Sequence, residues 1–192
     1  MQKNKKKHGI ITKVSGPLIV AKGMQDVQVY DVVHVSERRL IGEVIELRDD
    51  LASIQVYEET AGIGPGEPVY FTNEPLSVEL GPGLIEGIFD GIQRPLDAIY
   101  EVSGNQIPLG IDIPKLNREK IWDFKPTSKV GDVVKGGDII GEVLETNSVN
   151  HKIMVPPNIS GKIVKINEVS GPVTETVCEL EDKNGNIIKL NM

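Results

Sequence analysis

The hydrophobic positions of the first seventy residues recur with the two-residue period of short β-strands. In VQVYDVVHV, the residues Val27, Val29, Val33 and Val35 fall on one face and polar residues mostly on the other. RLIGEVIELR and LASIQVYE flank Asp49-Asp50, a typical hairpin turn. Strands this short at this spacing predict a small closed β-barrel over residues 1–72.

Strand patterns return after about residue 108. VGDVVKGGDIIGEV contains two Gly-Asp turns, and SGKIVKI has the composition of another strand. EDKNGNIIKL places Asn184-Gly185 between two alternating runs, which is a strong hairpin signal. These patterns predict a second β domain over residues 110–192.

The segment between the two β regions, residues 73–109, has a different pattern of hydrophobic positions. Ile85, Phe89 and Ile92 fall at i, i+4 and i+7, which predicts a helix weakened by its glycines. A second short helix, PLDAIYEV, is expected to begin at Pro95 and to end at Gly104. We expect this apolar stretch to pack against something outside the chain and therefore to leave an exposed apolar patch. Such a patch predicts weak self-association or a mobile segment.

Composition and charge exclude several functional classes. The 192 residues carry 28 acidic and 21 basic side chains, a formal net charge of -7, so general nucleic-acid binding is not expected. The basic cluster KNKKKH at 3–8 is interpreted as a solvated tail, with an anion- or membrane-contacting arm as the alternative. No apolar run approaches membrane-spanning length.

Metal and disulfide chemistry are also not expected. Cys178 is the single cysteine, so no internal disulfide can form, which fits a reducing cytoplasm. The histidines His8, His34 and His151 lie far apart in sequence, without a ligand spacing such as HxxxH. We therefore predict no metal site.

Catalytic motifs are missing as well. GIGPGEP at 62–68 is interpreted as a surface turn, because it has no GxGxxG frame between a strand and a helix. Gly161-Lys162 is followed by Ile163, not by the Ser or Thr of a P-loop. The acid pairs Asp49-Asp50 and Glu58-Glu59 are consecutive, hence poorly placed for acid/base work and better suited to solvated turns or strand edges. We predict no catalytic and no cofactor-binding residue.

One lysine requires a separate test. VGDVVKGGDIIGEVLET and PNISGKIVKI resemble the two halves of the biotin and lipoate carrier domains, which places Lys152 near the attachment position. Lys152 nevertheless lies about two residues too close to the turn and lacks the flanking MKM or DKA context. The resemblance favours a barrel-sandwich fold for the second domain and does not favour the carrier chemistry.

Five strings in order indicate a family. GIITKVSGPLIVAKGM, SIQVYEETAGIGPGEPV, LSVELGPGLIEGIFDGIQRPLD, GDIIGEV and HKIMVPP together resemble the N-terminal part of the catalytic A subunit of the V-type (archaeal and bacterial A/V-type) ATPases. The resemblance covers residues 8–192. It implies a mainly β chain with an N-terminal β-barrel and a second domain, the non-homologous or bulge region, joined by a short helical or irregular segment.

The resemblance also implies partners and a location. The barrels would join alternating A and B subunits in a hexameric ring, and the bulge domain would contact peripheral stalk subunits. A nucleotide-binding domain with the P-loop and Mg-ATP would follow, and the chain stops at Met192 before it. The resemblance therefore implies a cytoplasmic protein, peripheral to the membrane, without ATPase activity of its own. A cofactor carrier modified at Lys152 and a stand-alone β scaffold are the alternatives.

Overall fold

A computed structural model describes residues 8–192 of the chain, and most of the basic cluster at 3–8 lies outside the described residues. Over that range the backbone is mainly β-strand with one α-helix, which confirms the predicted fold class. The strands are β1 (His8–Ser15), β2 (Leu18–Lys22), β3 (Asp31–Val35), β4 (Leu40–Arg48), β5 (Leu51–Val56), β6 (Pro68–Pro75), β7 (Trp122–Pro126), β8 (Val133–Lys135), β9 (Ile139–Thr146), β10 (Val149–Met154), β11 (Ser160–Ile166), β12 (Val169–Gly171), β13 (Thr176–Glu181) and β14 (Ile187–Asn191). The helix, α1, spans Leu96–Ser103.

The described residues form two compact units. The first contains the residues up to Val78 together with Ala98–Ile113, and the second contains Glu79–Asp97 together with Pro114–Met192. The middle of the chain is therefore divided between the units. The three-part division into 1–72, 73–109 and 110–192 stays a prediction.

The first unit contains a closed barrel of six strands in the order β1-β2-β5-β4-β3-β6. All its strand pairs are antiparallel, and β1 closes the barrel on β6 with Gly9 opposite Val69. Strand β5 alternates along its length, with Ala52, Ile54 and Val56 buried. The predicted closed barrel is confirmed, and burying a side chain such as Ile54 or Val56 stabilises the fold by about 1.5–3 kcal/mol.

The alternating strand predicted to begin at Val27 is wrong at its start, because β3 begins only at Asp31. The Asp31 carboxylate accepts the N–H of Gln28 at 2.7 Å, and Tyr30 has a positive φ of 77°. A side chain that captures a nearby backbone N–H favours a turn over a strand. Val29 is consequently half exposed and does not join the core face.

The second unit contains two four-stranded sheets, β10-β9-β7-β12 and β14-β13-β11-β8, around one apolar core. The second β domain is thus confirmed. The hairpin predicted at Asn184-Gly185 joins β13 to β14, with Gly185 at a φ of 80° and its N–H donated to the Asp182 carbonyl at 3.1 Å. Gly141 in β9 lies against the ring of buried Phe124.

The middle segment forms one of the two predicted helices. Helix α1 begins one residue after Pro95 and ends where Gly104 donates its N–H to the Tyr100 carbonyl at 2.8 Å. The helix predicted from the spacing of Ile85, Phe89 and Ile92 is wrong, because this stretch consists of turns and a single bridge. The N–H of Ile85 donates to Glu145 and that of Ile92 donates to Asp90, while Gly87 donates to the Leu84 carbonyl in a turn. Side-chain acceptors of this kind compete with helical hydrogen bonds.

Candidate functional site

The glycine-lysine pair that partly matched a P-loop is part of a paired strand. Gly161 and Lys162 lie in β11, where Gly161 is opposite Val134 of β8 and Lys162 is opposite Glu181 of β13. A Cβ on Gly161 would lie 2.5 Å from the Glu181 carbonyl oxygen. A phosphate-binding loop needs free backbone N–H groups that point at the ligand, and this strand has none to offer at that position.

The histidines contact separate groups. His34 Nδ1 lies 3.4 Å from the Arg39 carbonyl oxygen, and His151 Nδ1 lies 3.1 Å from Glu145 Oε2. Among residues 8–192, the structure brings together no three His, Cys, Asp or Glu side chains in a metal-binding arrangement. The absence of a metal site stays a prediction.

The two acid pairs have different roles. Asp49-Asp50 forms the turn between β4 and β5, as expected. Glu58 is half-buried, and its two carboxylate oxygens accept the N–H groups of Ile41 at 3.0 Å and Gly110 at 2.8 Å. Glu58, just after the end of β5, is thus the acceptor for two backbone groups, while Glu59 is exposed.

Lys152 does not lie at a hairpin tip. It is an exposed residue of β10 whose backbone is opposite Glu142 of β9. The tip that joins the two strands is Asn147-Ser148, between the end of β9 and the start of β10. The structure therefore places this lysine along the strand, away from the position that the carrier hypothesis needs.

The strongest candidate for a functional surface is the stretch Glu79–Asp97 of the second unit. Leu80, Ile85 and Ile88 are 69%, 60% and 61% exposed. The expectation of exposed apolar side chains in this stretch is therefore confirmed. Three such residues within one short stretch of chain make that stretch the candidate for a contact with another protein surface.

A buried carboxylate fixes the start of this stretch. The Glu145 side chain is 1% exposed, and its Oε1 accepts the N–H groups of Gly83 at 2.7 Å and Ile85 at 3.0 Å. The other oxygen, Oε2, lies 3.1 Å from His151 Nδ1. Burial alone raises the pKa of Glu145, but the N–H groups of Ile85 and Gly83, followed by His151, bring that pKa below its ordinary 4.5.

A second carboxylate organises the middle of the stretch. Asp90 Oδ1 accepts the N–H groups of Ile92 at 3.1 Å and Arg94 at 2.8 Å, while Oδ2 accepts from Arg94 Nε at 2.6 Å. Burial opposes ionisation, but the bonds from Arg94 and Ile92 lower the pKa of Asp90. The turn around Asp90 is therefore held by a charged side chain.

The two ends of the stretch are joined by an amide pair. Glu79 donates its N–H to Gln93 Oε1 at 2.6 Å, and Gln93 Nε2 donates to the Glu79 carbonyl at 2.7 Å. Arg118 Nη2 contacts both Glu79 carboxylate oxygens, at 2.6 and 2.8 Å. The result is a loop closed by side chains, in which several backbone N–H groups donate to acceptors inside the unit.

Sequence reasoning missed the residues that hold this loop. One signal could have found Glu145. In the same strand, Gly141 and Val143 face the core, and the two-residue period puts Glu145 on that face as well. A charged residue at an inward position of a strand needs a buried partner. For Gln93 and Arg118, the chain offers no comparable local signal.

The sequence contains no apolar run of membrane-spanning length. Across the part of the chain that the structure describes, no helix combines the length and the apolar character that crossing a bilayer requires.

Two family models match the chain, one in each β region. The β-barrel domain of the ATP synthase alpha/beta family matches residues 11–73. The barrel-sandwich domain of the ATP synthase alpha/beta subunits matches residues 113–192. The predicted barrel-sandwich type of the second domain is therefore confirmed.

Curated proteins similar to this chain are alpha chains of V-type ATP synthases. A V-type ATP synthase alpha chain of Clostridium botulinum (strain Alaska E43 / Type E3) is 61% identical over 181 residues, which are 94% of this chain and 31% of the relative. One of Thermoanaerobacter sp. (strain X514) is 58% identical over 184 residues, 96% of this chain and 31% of the relative. The chain thus spans about a third of the length of the relatives it matches, and the carrier alternative is not supported.

The matched domains come in the order barrel, then barrel-sandwich, and the similarity to the relatives runs through almost the whole chain. This chain therefore belongs to the ATP synthase alpha/beta family, and it is similar to the N-terminal third of the V-type ATP synthase alpha chains.

Proposed function

We propose that this chain is the assembly part of the catalytic subunit of a V/A-type rotary ATPase. The observation that carries the proposal is the 61% identity to a V-type ATP synthase alpha chain, which extends over 94% of this chain but only 31% of that relative. Such identity favours the same role in the same kind of complex. The catalytic reaction then belongs to the remaining two-thirds of the subunit.

The two β domains would have separate partners. The barrel joins neighbouring barrels, so that A and B subunits alternate in a hexameric ring. The barrel-sandwich domain contacts the peripheral stalk subunits. The apolar side chains Leu80, Ile85 and Ile88 support a third contact, in which the stretch Glu79–Asp97 packs on the nucleotide-binding domain of the same subunit.

The reaction of the whole subunit would be ATP hydrolysis or synthesis coupled to H⁺ or Na⁺ transport. Mg-ATP would be bound by the nucleotide-binding domain. Residues 1–192 contain no GxxxxGK[ST] motif, so this chain alone is expected to hydrolyse no ATP. As part of the complex it would be cytoplasmic and peripheral to the membrane.

The proposal is tested in the host cell. An affinity tag is placed at the start of the gene, and the gene product is purified natively and identified by mass spectrometry. We expect a polypeptide much larger than 21.0 kDa that copurifies with B and stalk subunits of the ATPase. A product that ends at residue 192 and purifies without those subunits would contradict the proposal and favour a stand-alone β scaffold.

A second measurement separates the parts of the subunit. The purified 192-residue chain is expected to release no phosphate from Mg-ATP, whereas the complete gene product is expected to do so once assembled with B subunits. Hydrolysis by the short chain would contradict the division of roles. The intact mass of the same sample also tests Lys152, which should carry neither biotin nor lipoate.

A further inference from the structure

Glu145 connects two parts of the second unit that are far apart in sequence. It lies in β9 of the barrel-sandwich domain, and it accepts the N–H groups of Gly83 and Ile85, which precede it by 62 and 60 residues. Its side chain is 1% exposed. A charged group this deeply buried would be strongly destabilising without these partners, so the contact holds the loop and the sheet together.

The same contact fixes backbone whose side chains are exposed. The Ile85 N–H is bound to Glu145 at 3.0 Å, while its side chain is 60% exposed. The Ile88 carbonyl accepts the Leu96 N–H at 2.9 Å, while the Ile88 side chain is 61% exposed. Both isoleucines are thus presented outward from a hydrogen-bonded backbone. A surface ordered in advance loses less conformational entropy when its partner binds.

We infer that Glu145 is a positioning residue that makes residues 83–88 a preformed docking surface, with Ile85 and Ile88 as its apolar anchors. The occupant is the polypeptide that follows this chain in the complete subunit, since the relatives continue for about two-thirds of their length beyond the matched third. This inference rests on the proposed function. It adds that the barrel-sandwich sheet, through one carboxylate, determines whether that contact can form.

Glu145 supplies the hydrogen bonds that hold the Gly83 and Ile85 amides, while Leu84 between them packs against the apolar core. The bonds that Arg94 donates to Asp90, and those between Gln93 and Glu79, lie within Glu79–Asp97. Arg118 binds the Glu79 side chain at the start of the stretch, before residues 83–88. Loss of Glu145 would therefore free the Gly83 and Ile85 amides and leave the remaining contacts in place.

The experiment measures amide hydrogen exchange in the 192-residue chain and in the complete gene product. In the wild type, residues 83–88 should exchange at least tenfold more slowly in the complete product, because the docked partner covers them. In the 192-residue chain, Glu145→Ala should accelerate exchange at Gly83 and Ile85 at least tenfold. The amides of Ile163 and Leu180 in the sheets should keep their wild-type rates.

The decisive comparison uses the variant in the complete product. Glu145→Ala should remove the additional protection of residues 83–88, and Glu142→Ala, from the same strand, should retain it. Glu145→Gln keeps a carbonyl acceptor and should restore part of the protection. It also serves as the test if the alanine variant does not fold.

The outcomes separate the two proposals. If Glu145→Ala or Glu145→Gln leaves wild-type protection of residues 83–88 in the complete product, the positioning role is wrong, although docking itself stands. If the variants accelerate exchange everywhere in the unit, Glu145 is a general stability residue and the positioning role is again wrong. If the wild type gains no protection in the complete product, the proposed docking on the nucleotide-binding domain fails independently of Glu145.

Discussion

His151 and Glu145 are diagonal neighbours across the β9–β10 ladder. His151 is opposite Val143, and Val143 is two residues before Glu145 in β9. The His151 Nδ1 lies 3.1 Å from Glu145 Oε2. Diagonal neighbours on one face of an antiparallel pair are within reach of long side chains. A carboxylate only accepts hydrogen bonds, so Nδ1 carries the proton that is shared with Glu145.

We predict that the chain loses stability in acid because Glu145 becomes protonated. Hydrogen bonds outweigh burial and lower the pKa of Glu145 below 4.5 in the folded state. Its contribution to the free energy of unfolding is therefore present above pH 4.5 and is lost as the pH falls through the folded pKa. Urea unfolding should show that the wild type loses more stability between pH 6 and pH 3 than Glu145→Gln does.

Glu142→Gln removes the same charge from the same strand without removing the bonds to Gly83 and Ile85, and it serves as the control. The carboxylate of Asp90, whose pKa is also lowered, keeps some acid dependence in every variant. Parallel stability curves for the wild type and Glu145→Gln would contradict the prediction.

We predict that Gly141→Ala destabilises the barrel-sandwich domain by about 1–3 kcal/mol, since overpacking a filled core forces its neighbours to move. A Cβ at this position would lie 2.3 Å from two ring atoms of Phe124, a fully buried side chain. Denaturation monitored by the fluorescence of Trp122 in the same core measures the change.

Gly91→Ala is the matched control, because nothing lies within 4 Å of a Cβ at Gly91 and its φ is not positive. Its free energy of unfolding should stay within about 0.5 kcal/mol of the wild type. Equal effects of the two substitutions would mean that the Phe124 ring does not press on β9 at Gly141.

We predict that the Tyr57 hydroxyl ionises at a higher pH than that of an ordinary tyrosine. Its hydroxyl donates to Glu43 Oε2 at 2.5 Å, and this hydrogen bond, with burial and the negative charge of Glu43, raises the pKa of Tyr57 to about 12. Phenolate absorbance should therefore include a component near pH 12 that is absent from Tyr57→Phe. Glu43→Gln should move this component toward 10, and an unchanged component would contradict the assignment.

We predict weak self-association of the 192-residue chain through its exposed apolar loop. Sedimentation velocity should give a sedimentation coefficient that rises with protein concentration, because Ile88 and its exposed neighbours have no cover in the short chain. Ile88→Glu should abolish this dependence and change stability by less than about 0.5 kcal/mol. A concentration dependence that persists in Ile88→Glu would mean that the contact lies elsewhere. Tyr100→Glu, on α1, is the control substitution and should keep the concentration dependence.

The sequence predicted those elements whose signals are local. Helix α1 follows Pro95 and ends at Gly104, and the β13–β14 hairpin turns at Asn184-Gly185. In both cases, residues inside or next to the element determine the backbone conformation. The closed barrel was likewise predicted from alternation within short strands.

The errors arose where a side chain accepted nearby or distant backbone N–H groups. Asp31 does this over three residues and delays β3, and Glu145 does it over sixty residues and holds the turns at Gly83 and Ile85. The apolar spacing of Ile85, Phe89 and Ile92 contains no information about a distant carboxylate. The candidate surface was predicted as an apolar stretch, whereas its conformation depends on a residue that no local pattern links to it.

The closure of the N-terminal barrel limits how it can meet another protein. Because β1 pairs with β2 and with β6, and every other strand of the barrel also has two neighbours, no strand offers a free edge for an additional strand. Two such barrels placed side by side therefore cannot share a continuous sheet, and where strands face each other they meet through side chains. At those places the choice of partner can change by surface substitution while the barrel itself stays intact.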